Sequence, residues 1–407
     1  MRKPVYMDNS ATTRVSDEAL AAMLPLFREG YGNPSAIYGL GQDAFKALEE
    51  ARASVAASLG ALKSEIFFTS GGTESDNWAV LGAAEQALAK GRHLVASAVE
   101  HNAVRRPLQK LESKGYEVTL VAADKAGNVS PEDLESAIRP DTVLVSVIAA
   151  NNVVGTVQDV PALAAVCRRR KVLFHADAVQ AAGHVPVDVR AWGADLVSVS
   201  AHKFHGPKGA GALFSKIPRR PESLILGGGQ EKGARSGTEN VPGAAGMAAA
   251  LAEAVRNMDR DSARLSSMRD RVIEGALGIG GVILTGDPAR RLPGHASFIV
   301  EGVRHSALLI NALNGMGICV SSGSACSAAS KEADHVLAAL GYGWEPFASL
   351  RVSLSVYNTD EEVDYLLDRL APAIRKLRLQ RAGVKGEDPG GEGHRPRRPA
   401  SAGQPAF

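Results

Sequence analysis

Between about residues 41 and 260, short unbroken apolar runs alternate with stretches of helical periodicity. The runs fall at 66–69, 94–96, 118–121, 143–148, 172–175, 196–200 and 211–214, and one helical stretch covers 74–90. A strand with one wet face alternates apolar and polar residues, whereas a strand buried on both faces has no need to. Continuous runs separated by helices therefore predict an α/β architecture, with a mostly parallel sheet between helical layers. Beyond about residue 260 the pattern changes. A long helix is expected over 251–278, strands at 295–300, 318–321 and 350–354, a helix near 304–314, and a charged helix over about 360–380. With 407 residues the chain exceeds what one core usually organises. The expectation is a large domain over 15–260 and a smaller α+β domain built from 1–14 and 261–381. Residues 382–407 are rich in Gly, Pro and Arg and too poor in apolar residues for a core, so a disordered tail is expected.

A formal net charge of +2, with 45% hydrophobic and 22% charged residues, suits a soluble globular protein. It gives no overall pull toward nucleic acid or an anionic membrane. No run approaches the ~20 apolar residues of a membrane span, and Asp8 interrupts the N-terminus too early for a signal peptide. The three cysteines, Cys167, Cys319 and Cys326, lack C-x-x-C spacing. That argues against a disulfide framework and against a cysteine-based zinc site. A reducing cytoplasm is the expected setting, where a free cysteine is more often reactive than structural.

Three motifs sit at the ends of expected strands. Ser70-Gly71-Gly72-Thr73-Glu74-Ser75 follows one strand and opens a helix. Free N–H groups and the helix dipole attract an anion there, and glycines let a phosphate approach, although an ordinary glycine-rich turn has the same appearance. No G-K-[ST] follows, so it is not a Walker loop. Asp177 ends another apolar run, where a carboxylate either faces a ligand in the sheet's crevice or caps a helix. Lys203 follows the run at 196–200, flanked by small residues and by Gly206-Pro207. A lysine desolvated in a pocket becomes a Schiff-base nucleophile, although most lysines lie at the surface. His202 and His205 have no third ligand cluster in the sequence, so no metal is expected. A phosphate cup, an acid and a lysine at strand ends of one sheet are together what pyridoxal 5'-phosphate (PLP) requires.

With these motifs the chain resembles the cysteine desulfurases of the class V aminotransferase group. The resemblance runs from residue 6 to about 375. It is carried by 6–13, 32–35, 69–77, Glu100-His101, Asn151-Asn152, 177–180, Ser200-Ala201-His202-Lys203, 235–240 and above all Ser321-Ser322-Gly323-Ser324-Ala325-Cys326. It implies the type I fold of PLP-dependent transferases and the conversion of L-cysteine to L-alanine. The sulfur passes to Cys326 as a persulfide and on to an acceptor protein, such as an iron–sulfur scaffold, or into tRNA thiolation, with neither a membrane nor a nucleic acid bound directly. It further implies that Lys203 holds the cofactor, Asp177 pairs with its pyridinium nitrogen, and Gln180 and Asn152 lie near its phenolic oxygen. Thr73, Glu74, Ser200 and His202 line the phosphate end, and His101 stacks on the ring, acting with Lys203 and Cys326 in catalysis. Arg351 and Asn152 bind the substrate, Arg351 by its carboxylate, because a guanidinium fork matches it bidentately. Thr238 reaches the neighbouring subunit's phosphate, which implies a homodimer. Cys319, on an apolar approach, reads as a small core residue.

The chain departs from the family at Val153, where glutamate is common, at Tyr38, where histidine is, and at Ser355-Val356, where Gly-Arg is frequent. The alternatives are a selenocysteine lyase, an ordinary aminotransferase that would not need Cys326, and a catalytically silent scaffold in sulfur trafficking.

Overall fold

The computed structural model describes residues 4–216, 220–323, 334–342 and 347–384. Cys326 and all but the first three residues of the expected tail lie outside the described residues. Twelve strands are present among them: β1 Val5–Tyr6, β2 Ile66–Thr69, β3 His93–Ser97, β4 Glu117–Val121, β5 Thr142–Ile148, β6 Leu173–Asp177, β7 Leu196–Ser200, β8 Gly211–Ser215, β9 Val282–Leu284, β10 His295–Glu301, β11 Ile318–Cys319 and β12 Phe347–Ser353.

Seven strands form the main sheet in the order β2-β8-β7-β6-β5-β3-β4. The strands from β7 to β4 are parallel, and β8 runs antiparallel to both β7 and β2. Every residue of β2, β3, β5, β7 and β8 is buried, as their unbroken apolar runs require. Edge strand β4 is partly open to solvent. The chain leaves β3 for β4 on one side and returns to β5 on the other. Such a reversal splays the connections apart and opens a crevice beyond the carboxyl ends of the strands.

Leu251, Phe174, Val197 and Phe214 belong to the apolar core around this sheet. A second core gathers Phe298, Leu350, Val352, Leu366 and Leu370 on the antiparallel sheet β12-β10-β9. One 37-residue helix, Val241–Leu277, serves both. Its residues Val241–Leu251 enter the first core, and Leu265, Met268, Val272 and Ala276 enter the second. The helix begins ten residues before the expected 251. Asn240 caps it by accepting from Gly243 N at 3.0 Å, and Pro242 sits in the first turn. Gly243 and Gly246 blur the apolar periodicity there. Gly246 is required by packing, since a Cβ would lie 2.5 Å from Met23 Sδ. The helix expected at 74–90 instead runs from Gly72 to Gln86, with one wide turn at Trp78–Gly82. Trp78 is buried there and donates its indole N–H to Glu222 O at 2.9 Å. The last helix, Asp360–Val384, extends three residues into the expected tail.

β1 pairs in parallel with β11, and the chain then crosses toward the main sheet. Ser353 N donates to Met7 O at 2.8 Å and Thr13 N donates to His202 O at 3.0 Å. Residues 8–13 thus run from the smaller sheet to the turn after β7. No described helix is long and apolar enough to cross a membrane.

Candidate active site

A cavity of about 480 Å³ opens at the carboxyl ends of the main-sheet strands. Its lining includes Thr73, Glu74, His101, Asn152, Asp177, Gln180, Ser200, His202 and Lys203, so the fold brings together nine of the residues picked out in the sequence. At one end lies the turn after β2. Gly71 has φ 150°, a conformation L side chains avoid. A Cβ on Gly72 would come within 2.6 Å of Val179, so only glycine lets the helix start this close to the 177–180 turn. The first-turn amides have no intrahelical acceptor, which makes this end of the cavity, lined also by Thr73, Ser200 and His202, a candidate anion cradle. Glu74 contributes differently. Its carboxylate accepts from Ser70 N at 2.8 Å and from Arg235 Nε and Nη2 at 2.8 and 3.2 Å. Burial pushes its pKa up, but these bonds outweigh that and hold it below the usual value. An ionised carboxylate offers a phosphate nothing, so Glu74 braces the cradle rather than binding an anion. Thr238 is exposed and does not line its own chain's cavity.

Asp177 is the buried last residue of β6, and its Oδ1 accepts from Val179 N at 2.9 Å. Burial pushes its pKa up, while His101 and Lys203 oppose that. Lys203 ends a single turn of 3-10 helix after β7. Its Nζ donates to Ser10 O and, at 3.0 Å, to Ala11 O. Burial first and then Arg351 pull its pKa down to about 8, against Asp177 and Asp8. Gln180 Nε2 donates to the same Ser10 O at 2.7 Å. His202 shares a hydrogen bond of 3.1 Å with Thr12 Oγ1, and burial with Lys203 and Lys208 pulls its pKa down to about 4. His101 caps the helix that follows it by accepting from Ala103 N at Nδ1, so the neutral ring carries its proton on Nε2. The residue is exposed and lines the cavity. The packing behind it holds its pKa below the usual value.

Beneath the cavity lie two further carboxyls. Asp76, which also lines it, is fully buried, and its pKa is pushed well up by burial and by Asp177. Glu100 is pushed up to about 8 by burial. His175 bridges Ser146 Oγ at 2.9 Å and Ser198 Oγ at 3.0 Å, and burial pulls its pKa down to about 3. Burial thus favours the protonated carboxyls and the neutral imidazole in this wall, which counters the crowding of negative charges in one dry place.

Arg351 is not among the cavity-lining residues. It is buried in β12, where Nη2 donates to Asp8 Oδ1 at 2.7 Å and Nη1 donates to Asn152 O at 2.7 Å and to Gly323 O. The guanidinium expected to wait for a substrate carboxylate already has a carboxylate. Gly323 precedes the segment that holds Cys326. On the far side of that segment, His335 Nε2 donates to Glu100 O at 2.9 Å, next to His101. Val153 is buried with Val336, Leu337 and Leu340, so a glutamate there would put a charge into an apolar niche. Cys167 is buried, and burial pushes its thiol up to about 12. Cys319 is half-buried rather than fully enclosed. His205 points away from His202, with Nδ1 donating to Arg14 O at 2.8 Å and its ring edge against Tyr357. Among the described residues no group of three or more His, Cys, Asp or Glu could hold a metal. Motif reading missed the roles of Asp8, Ser10, Ala11, Thr12 and Asp76. The polar run Asp8-Asn9-Ser10-Ala11-Thr12-Thr13 was the signal for the first four, but two of its contributions are backbone carbonyls, which a side-chain pattern cannot reveal.

Residues 5–366 match the family described as aminotransferase class-V. The cysteine desulfurase IscS of Methanosarcina thermophila is 45% identical over 377 residues, covering 92% of this chain and 93% of that one. Its counterpart from Clostridium botulinum strain Hall is 44% identical over 382 residues, covering 93% and 96%. Among solved structures, a NifS-like protein matches with a TM-score of 0.86 at 38% identity, over 92% of this chain and 100% of the other. SspA in complex with cysteine matches with a TM-score of 0.76 at 32% identity, over 87% and 100%.

Proposed function

The chain belongs to the class-V aminotransferase family and is a cysteine desulfurase with the type I fold, and from that premise we propose that PLP occupies the cavity and that Cys326 receives the sulfur. The donor set fits the group. A glycine-framed cradle with Thr73, Ser200 and His202 suits a phosphate, Asp177 an aromatic nitrogen, and the Lys203 amine an aldehyde. When bound, PLP acts as an electron sink that acidifies the Cα–H of an amino acid.

Lys203 carries the reading. Its pKa near 8 leaves part of the amine neutral in mildly alkaline water, and the Ser10 and Ala11 carbonyls aim it. It thereby serves first as nucleophile and later as the base that takes the Cα proton. His101, its pKa held below the usual value and its proton placed on Nε2, lines the cavity and would stack on the cofactor ring. Gln180, fixed to Ser10 O, and Asn152 line the same cavity and would lie toward the phenolic oxygen of a bound PLP. Arg351 takes the substrate carboxylate. The Cys326 thiolate attacks the substrate sulfur, so the substrate C–S bond breaks as an S–S bond forms. The carbon takes up a proton in place of sulfur and leaves as L-alanine, with no external oxidant or reductant. The cysteine segment is tied at Gly323 to Arg351 and at His335 to the residue before His101, which supports Cys326 working at this cavity.

A homodimer accounts for two further features. Thr238 is exposed away from its own cavity, and Phe27, Tyr31, Ile37, Tyr38 and Phe45 are each more than half exposed. Large apolar side chains left this exposed within one 19-residue stretch of sequence fit an interface. The sulfur then passes to an acceptor protein, an iron–sulfur scaffold or a tRNA-thiolating partner, in the cytoplasm.

The test is to add L-cysteine without any keto acid, quantify alanine, and map persulfide by mass spectrometry. Alanine in step with persulfide on Cys326 is the expected result. A requirement for a keto acid would identify an ordinary aminotransferase. Turnover of selenocysteine but not cysteine would identify a lyase, and no turnover would identify a scaffold.

A further inference from the structure

Arg351 is 1% exposed, and a guanidinium cannot shed its charge when buried. Without substrate it needs a counter-charge, because an unpaired buried cation is strongly destabilising. Asp8 meets that need through a single contact, Nη2 to Oδ1 at 2.7 Å. Nη1 is engaged by the carbonyls of Asn152 and Gly323, and Nε has no partner among the described atoms. A carboxylate bound bidentately needs two N–H groups on one edge. The open edge is Nε with Nη2, and Nη2 is the atom that Asp8 uses. We propose that Asp8 is an internal stand-in for the substrate carboxylate, holding Arg351 in the free enzyme and competing with L-cysteine for it, so that this residue sets substrate affinity. The proposal rests on Arg351 being the carboxylate anchor.

The surroundings decide which partner moves. Arg351 sits in the middle of β12, paired to Ser297, with two carbonyls fixing its fork. Asp8 opens the 8–13 crossing just after β1, and its side chain is 19% exposed, so it has solvent to turn toward. The same segment holds the Lys203 amine through Ser10 O and Ala11 O. An α-amino acid brings its amine and its carboxylate to these two neighbouring places. The product L-alanine carries the same carboxylate, so the return of Asp8 to Arg351 also helps to displace product.

Asp8→Asn keeps the shape and an acceptor oxygen but removes the charge. In the holoenzyme it should lower KM for L-cysteine by about fivefold or more, since a like charge beside a part-buried anion is gone. The inhibition constant of L-alanine should fall in parallel. Binding of cysteine methyl ester, which has no carboxylate, should not change, whereas a merely structural role would move both ligands together. Asp8→Ser carries the same expectation if the amide variant does not fold. An unchanged or raised KM for cysteine in these variants, while Arg351→Lys raises it, overturns the proposal. An Arg351→Lys variant with unaltered KM instead strikes the reading of Arg351 as the anchor.

Discussion

Glu100 should set much of this protein's stability between mildly acid and mildly alkaline pH. Its side chain is fully buried. Oε1 accepts from the Ser97 hydroxyl and, at 2.7 Å, from Ile148 N, while Oε2 has no partner among the described atoms. Burial moves its pKa from 4.5 to about 8. The folded chain therefore keeps a proton that the unfolded chain gives up. Stability is highest below the unfolded value and falls as pH rises through that window. Crossing the whole window costs about 5 kcal/mol, at about 1.4 kcal/mol per pKa unit. Glu100→Gln removes the titration and little else, because the amide oxygen accepts the same two bonds and the amide nitrogen replaces an atom that had no partner. Between about pH 5.5 and about pH 7.5, the native protein should lose about 3 kcal/mol more than the variant. Urea unfolding of the cofactor-free protein at several pH values measures this. Asp76 and Asp177 titrate in both proteins, and the Glu100 charge couples to each of them, so the difference between the two curves measures Glu100 together with that coupling. Parallel curves for the two proteins would show Glu100 ionised in the fold and refute the reasoning. The variant should also keep the visible band of bound PLP at pH 7, since one neutral side chain replaces another.

Three further outcomes follow from the site. Lys203→Ala should lose the visible cofactor band and lower turnover by more than about a thousandfold, because among the described residues no other amine donates to Ser10 O and Ala11 O; a variant that keeps both colour and activity means that the lysine is another one. Cys326→Ser should keep the cofactor spectrum and lower persulfide formation by at least about a hundredfold. Cys319→Ser and Cys167→Ser should stay active, and the reverse pattern would move the acceptor role to Cys319. Light scattering at low micromolar concentration should find two chains, and a stable, fully active monomer would sink the shared-site reading of Thr238.

The order of elements was legible wherever burial on both faces left unbroken apolar runs, as at 66–69, 143–148 and 196–200. Sequence-based bounds failed where another device carried the information. Helix Val241–Leu277 starts on an asparagine cap and a proline, and it packs through Gly246 against Met23, so its first ten residues show no apolar stripe. The wide turn at Trp78–Gly82 likewise has no local code; it follows from seating a tryptophan whose indole must reach Glu222 O.

The site divides along the same line. Asp177, Lys203 and the Gly71-Gly72 turn were legible because their chemistry resides in residue type and in position at a strand end. The environment that makes Lys203 reactive was not. It comes from two backbone carbonyls almost 200 positions away, and any residues at 10 and 11 could present carbonyls, so only the path of the chain reveals them. Arg351 shows the limit most clearly. Residue type identified a carboxylate binder, but its partner in the fold, Asp8, stands 343 positions earlier. The same physical demand explains both roles: a buried guanidinium that receives a carboxylate during turnover also needs one at rest. A sequence motif can announce the first requirement, whereas the second becomes visible only once packing has shown that the guanidinium is cut off from water.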